Sequence, residues 1–187
     1  MNATNYKNNS SSYFQKKIST YGSETSISDN KIKTIRIDEV LNFNKHDGKI
    51  IARFLKEYDI DKNVAIDILE ATKTFLWLGD KYYKEQNKNL SIFKENYVID
   101  EMWHNYILFT KEYFEFSKTV FGRYIHHLPN IDEGEGEELS EDEKNQKLKD
   151  DITFIGGNIG AEKLRIWYLD WPKQYSKNKM HNLKKIT

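Results

Sequence analysis

The chain predicts an all-α fold, a single-domain bundle of roughly five helices, and three observations carry that expectation. Apolar residues recur at the i, i+3, i+4 spacing of a helix through most of the interval from Ile35 to Trp171. No segment shows convincing strand alternation. Helix-start signatures stand at Asp61 and at Ser140 with Glu143 three residues on.

Composition narrows the class. A chain of 187 residues suits one domain plus some tail, and it is long enough to bury a core without disulfides or a structural metal. Lys plus Arg equals Asp plus Glu at 29 each, so no overall basic field favours nucleic acid as a partner. No run approaches the roughly 20 apolar residues of a membrane span, and no membrane partner is expected. Cysteine is absent, which excludes disulfides, thiolate nucleophiles and cysteine-rich zinc sites. The amino-terminal segment has no apolar core of the secretory kind, and a cytoplasmic location is the default expectation. Aromatic residues reach 14%, with four Trp and twelve Tyr. Each can bury a large area, so packing is their expected role.

Residues 1–31 are rich in Asn, Ser, Thr and Lys and are expected to form a disordered tail. The helical domain is placed at 32–175. Ile37, Val40, Leu41 and Phe43 predict a short helical turn, opened by Asp38. Gly48 precedes a second stripe, Ile50, Ile51, Phe54 and Leu55, which should stop near Tyr58. Asp61 caps a third helix carrying Val64, Ile68, Leu69, Phe75, Leu76 and Leu78 to about Tyr83.

The longest helix is predicted from about Val98 or Asp100 to about Tyr124. On it Ile99, Trp103, Tyr106, Thr110, Tyr113, Phe114, Ser117 and Phe121 share one broad face. Leu128–Pro129 should end that stretch, and the acidic, glycine-containing segment 130–143 reads as a solvated loop. A helix opened by the Ser140/Glu143 box should reach about Ile155 and break at Gly156 and Gly157. A last helix with Leu164, Trp167, Tyr168 and Trp171 should end at Pro172. The segment 176–187 reads as a basic, frayed carboxy-terminal tail.

The chemically suggestive residues are Asp100, His104, His126 and His127. Asp100 and His104 lie four apart, which on a helix puts a carboxylate and an imidazole on one face, one turn apart. Two histidines and one carboxylate with open positions suit non-haem iron or zinc, and Glu101 or Glu115 could add an oxygen. One condition stands in the way. A straight helix separates His104 from His126–His127 by roughly 30 Å, so the chain must fold back after Tyr124, and at most one of the two adjacent rings can then reach His104. A purely structural account competes: Asp100 as a helix N-cap bonded to Met102 or Trp103, with His126 and His127 capping carbonyls at the helix end.

Other motifs carry less. Ser117 and Thr110 lack a His–Asp pairing, so nucleophilic catalysis has no support. Gly156-Gly-Asn-Ile-Gly160 follows a helix rather than a strand and lacks the lysine of a phosphate loop. Trp77, Tyr82 and Tyr83 offer aromatic surface that could join two copies.

The elements Phe75-Leu-Trp-Leu78, Val98-Ile-Asp-Glu-Met-Trp-His104, Phe121-Gly-Arg-Tyr-Ile-His-His-Leu-Pro129, Ile159-Gly-Ala-Glu162 and Trp167-Tyr168 form a further pattern. Over about residues 48–175 the chain resembles the helical domain of the glycine-rich domain-containing-protein-like family. The resemblance implies an all-helical domain and puts the family's marker polar residues at Asp100, His104, His126 and His127. Bacterial members often carry Cys where Ser117 stands. The glycine-rich region that names the family is absent, so RNA-related roles do not transfer. Taken alone, the sequence favours a non-catalytic helical accessory domain with a protein partner, engaged through the acidic segment 132–143 or the basic tail. A metal-binding protein, using iron or zinc on the Asp/His cluster, is the alternative.

Overall fold

The structure, a computed structural model, describes residues 35–127 and 140–185. The expected tail 1–31, Leu128–Pro129 and most of the acidic segment lie outside the described residues. Within them the fold is all-helical, as the periodicity implies, with more helices than the five expected. In chain order these are α1 (Ile37–Asn42), α2 (Asp47–Glu57), α3 (Lys62–Gln86) and a 3₁₀ turn (Lys94–Asn96), followed by α4 (Tyr97–Ile107) and α5 (Thr110–Phe121). Then come α6 (Glu141–Arg165), a π-helical turn (Ile166–Asp170), α7 (Trp171–Tyr175) and α8 (Lys177–Leu183).

The caps written in the sequence form as expected. The Asp61 carboxylate accepts from the Asn63 and Val64 amides, and Ser140 and Glu143 make a reciprocal capping box. Asn87, in the left-handed conformation at φ 53°, ends α3. Helices α3 and α4 form the centre. Helices α1, α2, α4 and α6 pack on α3, and α2, α5, α7 and α8 reach α4. Their shared core holds Phe54, Ile68, Leu78, Met102, Tyr106 and Phe116, all essentially without solvent contact. The aromatic surplus goes inward. Tyr106 packs edge-on against Tyr113 at 5.2 Å between centroids and also lies 5.4 Å from Phe116. Trp77 and Tyr82 are buried in the same way, leaving only Tyr83 of that trio exposed. None of the described helices is long and apolar enough to cross a membrane.

Four expectations need correction. The long helix from Val98 to Tyr124 is two helices, parted at Leu108–Phe109, where Phe109 leaves helical geometry (φ −86°, ψ 64°). The change of direction takes Phe114 off the core face and leaves it half exposed. Gly156 and Gly157 do not break their helix: it continues to Gly160, which alone leaves helical geometry at φ 80° and ψ 165°. Pro172 does not end a helix: the π-helical turn runs directly into α7, of which Pro172 is the second residue.

The carboxy-terminal tail expected to fray is the fourth. Residues Lys177–Leu183 form α8, which buries Met180. The Asp59 amide donates to the Leu183 carbonyl at 2.8 Å and the Lys185 amide to the Glu57 carbonyl at 2.8 Å, closing an isolated antiparallel bridge between Tyr58 and Lys184. Part of the tail's positive charge is engaged within the chain, because Lys184 pairs with Glu57.

Candidate metal centre

The break between α4 and α5 makes the site. A continuous helix would hold Trp103 and Tyr113 about 15 Å apart, yet the Trp103 indole N–H donates to the Tyr113 hydroxyl at 2.9 Å. The chain therefore folds back at Leu108–Phe109, a full helix earlier than the position after Tyr124 at which a shared site was expected to need it. Tyr113 then passes the link onward, its hydroxyl donating to the Ile125 carbonyl at 2.8 Å. Gly122, left-handed at φ 72°, ends α5 and turns the chain into the segment that carries both histidines. This buried relay, Trp103 to Tyr113 to Ile125, fixes that segment against α4.

His127 arrives over the first turn of α4. Its Nε2 lies 2.7 Å from Asp100 Oδ1, and its ring stands 4.2 Å from Trp103 and 4.5 Å from the His104 ring, centroid to centroid. His104 Nδ1 is 3.9 Å from Asp100 Oδ2. Asp100, His104 and His127 each offer one ligand atom, and these atoms lie within 4.8 Å of one another. The His127 side chain is mostly buried and that of His104 is half exposed. The cluster is thus anchored on one side and open on the other.

The remaining candidates fall elsewhere. Adjacent residues of an extended segment point to opposite sides, so His126 stays exposed and packs on the Tyr124 ring at 4.8 Å. Glu115 faces α2's start, paired with Lys45 and, at 2.8 Å, with His46 Nε2. Glu101 accepts from the Tyr58 hydroxyl at 2.6 Å. Burial, reinforced by that carboxylate, pushes the Tyr58 hydroxyl above its ordinary range, and Tyr97 is raised in the same way. Neither glutamate joins the three, and Asp100 does not cap its own helix, because the N-cap position is Asn96.

Two groups were not legible as pairs. Lys73, essentially without solvent contact, donates to both Asp47 carboxylate oxygens at 2.7 Å and to the Phe43 carbonyl at 2.9 Å. Burial lowers the Lys73 ammonium and raises the Asp47 carboxyl against the pull each exerts on the other. The second is Asp80, buried and bonded to Arg123 Nε at 3.0 Å and Lys84 Nζ at 2.7 Å. Arg123 borders a cavity of about 280 Å³ that also touches Gly79, Trp103, His126 and His127. The available signal was a glycine and an aspartate ending the apolar run Leu76-Trp-Leu-Gly-Asp80, inside a helix that continues.

No curated protein and no solved structure matches the chain. The family model described as UCP032817-like matches residues 36–148, more than half of the chain, and the matched stretch holds Asp100, His104 and His127 together with the helix break that joins them. This chain belongs to the UCP032817-like family.

Proposed function

We propose that this protein binds one divalent first-row transition-metal ion, iron or zinc, through Asp100, His104 and His127. The observation that carries the reading is the convergence of three ligand atoms within 4.8 Å. Ligand atoms sit about 2.0–2.2 Å from such an ion, a spacing that modest rotation of the half-exposed His104 ring can reach. Two imidazoles and one carboxylate leave coordination positions open, the pattern of non-haem iron and of catalytic zinc. The reading also fits the burial. Trp103 shields one face of His127, and the cavity beside it meets the cluster from the apolar side. The resemblance to the glycine-rich domain-containing-protein-like helical domain favours the same residues, with His126 as the exception.

A structural reading keeps one observation in its favour: Asp100 and His127 already pair at 2.7 Å and tie the segment after α5 to α4. Elemental analysis of protein purified without a His tag separates the two. Stoichiometric metal is expected in the parent and in His126→Ala, and its loss in His104→Ala and His127→Ala. A parent that retains no metal after loading with Fe²⁺ or Zn²⁺ and desalting, with the variants merely less stable, overturns the metal reading in favour of the clamp.

A further inference from the structure

We propose that the cavity between α3 and the segment after α5 binds a small molecule with an apolar body and a carboxylate, held by Arg123. The inference goes beyond metal binding and does not require it. Its volume, about 280 Å³, falls just short of the roughly 300–1,000 Å³ of drug-sized sites and suits a smaller molecule. Phe75, Leu76, Leu90, Ile92 and Ile125 supply apolar walls.

Two independent features point to an occupant. The first is Gly79. It lies inside the 25-residue α3, where glycine costs about 1 kcal/mol relative to alanine. No close approach demands it, since a Cβ built there meets nothing within 4 Å, and its φ is not in the left-handed region. The missing side chain keeps the space open.

The second is charge. Asp80 is buried and faces two cations, Arg123 on Oδ1 and Lys84 on Oδ2, so the trio carries a surplus positive charge at the cavity's edge. Arg123 is held in place by that bond and by the Tyr83 ring 4.8 Å beneath its guanidinium. Only Nε is committed; among the described residues its terminal nitrogens have no partner. A pre-positioned fork at the mouth of apolar walls recognises a planar carboxylate.

Calorimetric titration of the full, chelator-treated chain with 3-phenylpropanoate, hexanoate and 3-phenylpropanamide tests this. Chelation makes the result independent of the metal reading. The parent should bind at least one acid at least about tenfold more tightly than the amide. Arg123→Gln should erase that preference, with Lys84 still paired to Asp80. Gly79→Leu fills the cavity from an intact helix and should abolish binding while the thermal midpoint holds or rises. Equal binding of acid and amide, acid binding unaffected by Gly79→Leu, or no acid bound at millimolar concentration each overturns the proposal.

Discussion

Tyr113 holds more of this structure together than its place in an aromatic stripe suggests. Its hydroxyl accepts from Trp103 and donates to Ile125, and burial raises it above the ordinary tyrosine range. Tyr113→Phe leaves a buried indole N–H and a carbonyl without partners, which should lower unfolding free energy by about 2 kcal/mol. Urea denaturation measures it; a loss under half that size would mean another group takes up the bonds. Lys73 and Asp47 offer a different test. Burial disfavours both charges, so the pair is needed mainly because each charge is there. Lys73→Met should cost about 3 kcal/mol, and adding Asp47→Leu should restore most of it. A double variant as unstable as the single one would show that the ion pair itself is required.

At the scale of elements, local chemistry was readable and tertiary choices were not. The caps at Asp61 and Ser140 were legible because one side chain bonds an amide two or three residues away. The break at Leu108–Phe109 carries neither glycine nor proline, and the apolar periodicity runs straight across it. Across the turn, the buried bonds of Tyr113 to Trp103 and Ile125 hold the two helices together. Asp100 and His104 were legible as a pair for the same local reason, whereas the reach of His127 to them depends on that unreadable turn. The glycines of α6 make the contrast measurable. Gly157 is helical and exposed with open space at Cβ, so Gly157→Ala should stabilise by about 1 kcal/mol. Gly160→Ala, at φ 80° and ψ 165°, should destabilise by about 1–3 kcal/mol. Thermal melts of the two variants should move in opposite directions, and shifts of the same sign would remove Gly160 as the point of the kink.

Across the whole molecule, charges hold the start of α2 to α5: Lys45 and His46 meet Glu115, and Lys49 meets Glu112. Hydrogen bonds from Lys49 depress the Glu112 carboxyl, and those from Lys45 and then His46 depress Glu115. A carboxyl held below its unfolded value contributes stability that is present above the ordinary carboxylate range and lost as pH falls through the folded value. Stability should therefore decline as pH falls through and below the ordinary carboxylate range, and Glu112→Gln with Glu115→Gln should flatten that decline. An unchanged slope in the double variant would place the acid sensitivity in other groups.

The bridge joining Tyr58 to Lys184 has a separate consequence. A label placed on residue 185 sits beside the last turn of α2, where the Lys185 amide bonds the Glu57 carbonyl. A fluorophore attached there would report loosening of that end of the helix.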